Sequence, residues 1–210
     1  MPMSTLETRK RLTREESRAR TRARLISVGR EHFLRHGLGG AVAEQIAEDA
    51  GYSRGALYSN FDGKEELFLA VIEEQEAHHF EAFRSILDDE KSSSKERLRK
   101  FRDTFADVVT DHDWIVLYSE FEAEALRSRR IRESFLKLHR QAIHDGTELV
   151  NALSKSSDVT LRLRPNEFIM AMFTFSLGMA VNQKILGAEL SQKSARALIE
   201  ALFDELFSAA

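Results

Sequence analysis

Apolar residues recur at spacings of three and four along most of the chain, a pattern typical of amphipathic helices. The first such stripe consists of Leu25, Ile26, Val28, Gly29, Phe33 and Leu34. Thr13 and Glu16 before it fit a capping box, and Gly37 after it fits a glycine that ends a helix. The pattern therefore predicts a first helix from Thr13 to His36.

Two shorter helical segments follow, separated by a glycine turn. One runs from about Ala41 to Ala50, and the other begins at Ser53, a residue type that caps helices, and carries Leu57 and Phe61 four apart on one face. A small residue, Ala47, and a glycine able to take positive φ, Gly51, suit two helices that cross closely. We interpret these segments as a helix-turn-helix.

The remaining pattern is also helical. Segments are predicted at about Lys64 to Asp89, Ser94 to Thr110, Trp114 to Leu126, Ile131 to Leu153, Asn166 onward and Ser191 to Phe207. The helix after Pro165 is apolar almost all round, so it must be covered on every side, either centrally or between subunits. The fold class that follows is all-α, with about nine helices in total.

Charge separates the front of the chain from the rest. The net charge is −3, yet residues 1–64 hold 12 Lys/Arg against 8 Asp/Glu, which leaves 19 against 26 for residues 65–210. A basic region beside a helix-turn-helix suits nucleic acid. Two basic features have two alternative roles, contact with DNA phosphates or simple solvation. They are the arginines at 18, 20, 22 and 24, and residues 1–12, which are predicted to form a flexible basic arm.

Several functional classes are disfavoured by composition. The chain has no cysteine, which excludes disulfides, thiol chemistry and cysteine metal sites. His139 and His144 are poorly spaced for a metal, and no nucleophile with a base or glycine-rich phosphate loop is found, so neither an enzyme nor a cofactor is expected. The longest uncharged apolar stretch, Phe168 to Gln183, is sixteen residues, so no membrane partner and a cytoplasmic location are expected.

Outward side chains of the third helix are of the types that bind DNA. Arg54 suits guanine, Tyr58 can donate to a phosphate oxygen, and Ser59 and Asn60 complete the exposed set. The run from Ile46 to Leu67 resembles the DNA-binding signature of the tetracycline-repressor (TetR) family of bacterial transcriptional regulators. The specific resemblance covers roughly residues 14 to 70, and only the architecture is shared beyond it.

The resemblance implies roles for individual residues. Ser53 would cap the recognition helix, Arg54 and Gly55 would approach bases or backbone, and Tyr58 and Asn60 would contact DNA. Lys64 would take a phosphate. Glu44 lies where family members often place a DNA contact, and its carboxylate either accepts from a cytosine amino group or is solvated. The chain departs from the family pattern before the second helix, where Gly39 to Val42 supply no capping hydroxyl.

The body is expected to bind a small molecule and to dimerise. Aromatic residues at helical spacing are either plain core or a ligand site, and the candidates for ligand contact are Phe105, Trp114, Tyr118, Phe121, Met170 and Phe173. The last two long helices are expected to pair with their copies as a four-helix bundle, the usual interface of the resembling family. The candidates for the interface are Phe175, Gly178, Met179, Leu198, Leu202 and Phe203.

The sequence thus predicts a helix-turn-helix DNA-binding domain at residues 13–64 and a helical effector-binding and dimerisation domain at residues 65–210. The expected function is that of a homodimeric repressor, released from a palindromic operator on double-stranded DNA by a small hydrophobic or amphipathic effector. The alternative is a helical dimeric adaptor or binding protein without DNA readout.

Overall fold

The computed structural model describes residues 13–157 and 159–209, and the predicted arm at 1–12 lies outside them. The all-α prediction is confirmed for the described residues, which form nine α-helices, a 3₁₀ turn and one short pair of strands. The helices are α1 (Arg14–Gly40), α2 (Ala43–Asp49), α3 (Arg54–Tyr58), α4 (Lys64–Leu87), α5 (Ser94–Val109), α6 (His112–Ala125), α7 (Arg129–Ser157), α8 (Pro165–Leu186) and α9 (Gln192–Leu206).

The described chain divides into two compact units, with the division after Val71. The first unit contains α1, α2, α3 and the start of α4. The predicted capping box at its beginning is confirmed, because Thr13 Oγ1 accepts from the Glu16 N–H at 3.1 Å and Glu16 accepts from the Thr13 N–H at 2.6 Å. Gly37 interrupts α1 with φ of 67°, in the region that favours glycine, as its predicted helix-ending role requires.

The turn between α2 and α3 has the predicted backbone. Gly51 takes φ of 81°, and the N–H of Tyr52 donates to the carbonyl of Ala47 at 2.8 Å. Ser53 caps α3, since its Oγ accepts from the Ala56 N–H at 3.2 Å. α2 begins two residues later than predicted, with Val42 as its cap residue and no side-chain hydrogen bond there, which confirms the missing capping hydroxyl.

Aromatic and aliphatic side chains fill the core of the first unit. The ring of Phe33 on α1 meets that of Phe68 on α4 edge to face at 4.9 Å. One polar contact accompanies this core: His32, 7% exposed, lies 2.8 Å through Nε2 from Oδ2 of Asp49 at the end of α2. The contact ties α1 to α2 at a position where the imidazole has almost no access to water.

The second unit has a core rich in phenylalanine. Phe203 on α9 packs against Phe168 on α8 at 5.7 Å and against Phe207 at 4.5 Å between ring centroids. Phe207 begins the strand β2 (Phe207–Ala209), which pairs antiparallel with β1 (Val159–Leu161). The short alternating run after α7 thus forms one strand of a minor β pair. This pair joins the end of α9 to the segment before α8 and does not alter the all-α class.

Among the described residues, the apolar helix α8 is covered on only one face. Its buried residues are Phe168, Met172, Ser176, Ala180 and Gln183. Met170 is 53% exposed and Ile185 is 74% exposed. The segment Pro165–Leu190 is long and apolar enough to cross a membrane, but that test rests on length and composition alone, which buried helices also satisfy.

We predict that Asp49→Ala lowers the free energy of unfolding by about 1–2 kcal/mol, because the buried His32 ring loses its hydrogen-bond partner. Chemical denaturation followed by circular dichroism measures this change. Glu48→Ala is the matched control, since Glu48 is an exposed acid beside Asp49 near the same helix end. Equal stability of the two variants would contradict the structural role of the His32 contact.

Candidate nucleic-acid interface and ligand cavity

The helix α3 divides its side chains between the core and the surface. Leu57 is fully buried and Phe61, just beyond the helix, is 2% exposed. Tyr58 is 43% exposed, and the side chain of Arg54 is 70% exposed. Burial of the two apolar residues therefore fixes which face of a five-residue helix points outward, and the predicted DNA contacts Arg54, Tyr58 and Ser59 lie on that outward face.

Three predicted site residues meet on the surface. Glu44 Oε1 on α2 lies 3.1 Å from Arg54 Nε and accepts from the Tyr58 hydroxyl at 3.3 Å. The Arg54 guanidinium also lies over the Tyr58 ring, 5.4 Å from its centroid. Glu44 is thus paired rather than simply solvated. Because exposed ion pairs are worth only about 0–1 kcal/mol, a phosphate or base edge can replace the carboxylate at little cost.

Basic residues of α1 lie beside α3. A groove of about 750 Å³ is lined by Thr13, Arg14, Ser17, Arg18, Thr21, Ala56, Ser59 and Asn60. Arg18 Nη2 donates to the Ser59 carbonyl at 3.2 Å, and the Arg22 guanidinium lies 4.7 Å from the centroid of the Phe61 ring. Two arginines of the basic run are therefore held against the recognition helix, whereas Arg20 and Arg24 are exposed.

Two predicted DNA contacts have partners inside the unit. The Asn60 amide donates to the Ala56 carbonyl at 2.8 Å, and Lys64 Nζ donates to the carbonyls of Gly39 and Ala41 at 3.2 and 3.1 Å. Lys64 thereby holds the segment between α1 and α2, a structural role that sequence reasoning missed because its partners are backbone atoms more than twenty residues away. The DNA roles of both residues stay predictions.

Gly55 has no steric need to be glycine within the unit. A Cβ built there would meet nothing closer than the Ser53 hydroxyl at 3.8 Å, and the residue is exposed. An exposed glycine on the outward face leaves room for another molecule to approach the backbone closely. The approach of DNA to Gly55 stays a prediction.

The second unit contains a partly open aromatic cavity of about 100 Å³. It is lined by Glu76, His79, Phe80, Phe83, Phe101, Phe105, Val108, Trp114, Ala142, Gly146, Phe168, Ile169 and Phe173. Three of the predicted ligand residues, Phe105, Trp114 and Phe173, belong to this lining. Tyr118 lines a smaller neighbouring cavity of about 50 Å³ together with the same three residues.

Two predicted ligand residues do not line either cavity. Phe121 is 2% exposed and packs against Phe135 at 5.3 Å between ring centroids. Met170 points outward, because the face of α8 turned to the cavity carries Ile169 and Phe173, and residue 170 is a third of a turn away from residue 169. The helical pattern identified the apolar helix correctly but did not show which of its faces is turned to the cavity.

An acid that the sequence reading overlooked is the most polar part of the cavity wall. Glu76 is 8% exposed, and its Oε1 has no hydrogen-bond partner among the described residues. Burial raises the pKa of this carboxyl to about 8, and the carboxylates of Glu73 and Asp145 add to the rise. A sequence signal existed: Glu76 shares its helical face with Phe80 and Phe83, so a lone acid interrupts the apolar stripe of α4.

Tyr118 and His139 form a polar contact inside the aromatic cluster. The Tyr118 hydroxyl lies 3.1 Å from Nδ1 of His139, and the His139 ring stacks on Phe135 at 5.5 Å. Burial raises the Tyr118 pKa and lowers the His139 pKa, so both groups are neutral near pH 7. Among the described residues no group of three or more potential ligands could hold a metal ion.

The predicted interface residues occupy different environments. Phe175, Met179 and Leu202 are half-buried against the core of the second unit, and Gly178 and Leu198 are exposed. Phe203 requires a correction. It is fully buried between α5, α8 and β2, because the inward face of α9 carries Ala195, Ile199 and Phe203 at spacings of four, so its side chain is core within one chain.

The sequence of the first unit matches a known family. Residues 25–71 match the family described as bacterial regulatory proteins, tetR family. Over these residues the chain is similar to the DNA-binding region of the TetR family. It is similar to the HTH-type transcriptional regulator SrpR of Pseudomonas putida, with 44% identity over 52 residues. It is also similar to the HTH-type transcriptional activator FasR of Mycolicibacterium smegmatis, with 32% identity over 103 residues.

These sequence matches cover only part of each protein. The SrpR match spans 25% of this chain and 24% of SrpR, and the FasR match spans 49% and 44%. The fold extends further, since the reduced form of Escherichia coli NemR superposes with a TM-score of 0.72 over 90% of this chain and 99% of NemR, at 18% identity. At that identity the likeness shows the shared fold alone.

We predict that protein stability falls as pH rises from about 5 to 8 because of Glu76. The unfolded carboxyl titrates near its ordinary value of 4.5 and the folded one near 8, so between these values the folded protein holds a proton that the unfolded chain has lost. The contribution is at most about 1.4 kcal/mol per pH unit.

Glu76→Gln is the matched variant, since it keeps the shape and cannot ionise. Urea denaturation of both proteins at several pH values measures the difference. The variant should gain stability relative to the parent as pH rises toward 8. Parallel pH profiles would contradict the burial of an ionisable Glu76.

Proposed function

We propose that this chain is a homodimeric repressor of transcription that binds a palindromic operator through α3 and is released by a small effector bound in the second unit. The observation that carries the proposal is the outward face of α3. Arg54 and Tyr58 are exposed and adjacent there, next to the arginines of α1, while Leu57 anchors the helix. Such a face offers a guanidinium for a base edge and several donors for phosphates.

Dimerisation follows from the size of α3. A helix of five residues contacts only a few base pairs, so specificity needs two copies related by a two-fold axis, set about one helical turn of DNA apart. Support for an interface comes from α8 and α9, which pack on each other and leave Met170, Ile185 and Leu198 exposed. Large apolar side chains exposed on adjacent helices are typical of association surfaces.

The proposed effector site is the aromatic cavity. Its wall includes Glu76, His79, Phe80 and Phe83 from α4, whose first turns contribute Phe68 to the core of the first unit. One continuous helix therefore takes part in both units. An effector that binds better to the conformation unsuited to the operator lowers DNA affinity, and by linkage DNA lowers effector affinity by the same factor.

In this proposal we divide the chain functionally as a DNA-binding domain at 13–64 and an effector and dimerisation domain at 65–210. Repression is the proposed direction of regulation. The name of FasR marks that relative as an activator, so similarity over about half of this chain leaves the direction to a promoter-reporter experiment.

We predict that Arg54→Ala weakens binding to the operator in the DNA flanking the gene of this protein by about tenfold or more, because a bidentate base contact is worth about 1–3 kcal/mol. Fluorescence anisotropy at fixed salt measures the affinity. Arg129→Ala is the control: it removes the same charge from a side chain that is 92% exposed in the second unit.

Equal affinity of the two arginine variants would remove Arg54 from the DNA interface. The wild-type protein should also lose affinity steeply as salt increases, since phosphate contacts release counterions. A shallow salt dependence would instead favour the adaptor without DNA readout.

We predict that Leu198→Lys converts the dimer to a monomer at micromolar concentration, since it buries a charge in the proposed interface. Light scattering coupled to size exclusion measures the mass. Leu126→Lys makes the same substitution at a leucine that is 76% exposed at the end of α6 and should leave the dimer intact. A wild-type monomer, or dissociation by both variants alike, would contradict an interface at α9.

A further inference from the structure

The cavity of the second unit has a chemically unusual wall. Among its described lining residues, Glu76 is acidic, His79 is the only other ionisable residue, and none is a lysine or arginine. Most of the others are aromatic or aliphatic. A volume of about 100 Å³ corresponds to roughly seven water positions, enough for a compact organic group.

The unpartnered oxygen of Glu76 belongs to this wall. The residue is more than nine-tenths buried, and its Oε1 makes no hydrogen bond to any described residue. A buried polar atom without a partner is destabilising, so a ligand that supplies a donor to Oε1 gains a hydrogen bond there. The lining is otherwise apolar, which places Glu76 as the principal polar contact for a ligand.

The electrostatics favour a positive ligand. Glu73 on α4 and Asp145 on α7 interact with Glu76 and add negative potential to its surroundings. Aromatic rings such as Phe80, Trp114 and Phe173 present faces and edges to the cavity, and ring faces attract cations. An anionic head group would meet Glu76 without a guanidinium or ammonium to balance it.

We propose that the effector cavity takes an aromatic or aliphatic amine, with its ammonium group paired to Glu76 and its apolar part against the phenylalanine side chains. The inference rests on the proposed effector role of this cavity and adds the chemical class of the ligand. The pairing places the ionised carboxylate opposite a cation in a water-poor cavity, where charge-assisted hydrogen bonds are strongest.

Formation of the ion pair requires Glu76 to lose a proton, so the pairing can be measured through the pH dependence of binding. Before a ligand binds, Glu76 holds its proton below about pH 8, and it must release that proton to form an ion pair. For an amine that stays protonated, the binding affinity should therefore rise with pH, by up to tenfold per pH unit below pH 8. Above pH 8 the affinity should level off.

Other titratable groups near Glu76 come from three helices. Glu73 and His79 lie on α4, Tyr118 on α6 and Asp145 on α7, whereas α5 and α8 present apolar side chains to the cavity. His79 Nε2 lies 3.0 Å from Gln75 Nε2 and 3.9 Å from Oδ2 of Asp111. Since His79 is also an ionisable residue of the cavity wall, the experiment must separate the two residues.

The test is isothermal titration of the purified full-length protein, without DNA, with 2-phenylethylamine and with its uncharged analogue 2-phenylethanol. Primary alkylamines titrate near the lysine value of about 10.4, so the amine stays protonated from pH 6 to 8. We expect the amine to bind at least tenfold tighter than the alcohol at pH 8. We also expect its affinity to fall by about tenfold from pH 7 to 6, with one proton released per amine bound.

Glu76→Gln separates Glu76 from His79. The variant should lose most of the affinity for the amine, keep its affinity for the alcohol, and show no pH dependence between 6 and 8. Equal binding of amine and alcohol to the wild type, a flat wild-type profile, or a pH dependence that persists in Glu76→Gln would each overturn the proposal. Operator binding by the ligand-free wild type is measured separately, so a failure of DNA recognition is distinguished from a failure of amine binding.

Discussion

Burial of Leu57 and Phe61 is the interaction on which the DNA-binding unit depends. A helix of five residues is too short to be stable alone, because the free energy needed to nucleate a helix exceeds the gain from one turn of hydrogen bonds. Fixing Leu57 in the core supplies that stability and sets the rotation of α3. The exposed positions of Arg54 and Tyr58 follow from the same burial, so the recognition surface and the core of this unit form together.

Polar contacts around this anchor differ in their exposure to water. The Glu44 contacts with Arg54 and Tyr58 lie at the surface, where water competes with them. The His32–Asp49 contact and the Lys64 contacts to backbone carbonyls join α1, α2 and α4, and the His32 ring is buried. The unit therefore combines a fixed frame with surface charges that a nucleic acid can readily engage.

Features set by neighbouring residues were predictable from the sequence. The caps at Thr13 and Ser53 and the positive φ of Gly37 and Gly51 each depend on a few adjacent positions, and all four are confirmed. Contacts between distant segments were not predictable, because spacing along the chain carries no information about which backbone carbonyl Lys64 reaches. The rotation of long helices was also uncertain: Met170 points away from the cavity and Phe203 lies in the core.

The residues that line the cavity were also only partly predictable from the sequence. Aromatic spacing indicated three residues that line the cavity, Phe105, Trp114 and Phe173, but the sequence analysis did not identify Glu76. Its significance depends on five helices that surround it, which no local pattern reveals. Once buried, its shifted pKa and its unpaired oxygen distinguish the cavity from ordinary apolar core.

The central claim is that two copies of α3 read a two-fold symmetric DNA site. Selection from a random double-stranded DNA library with the purified protein, followed by sequencing, tests it most directly. The account predicts enrichment of an inverted repeat whose half-site centres lie about one helical turn, 10–10.5 base pairs, or a small multiple of that distance apart. Enrichment of a single asymmetric site, or no enrichment over the starting library, would contradict it.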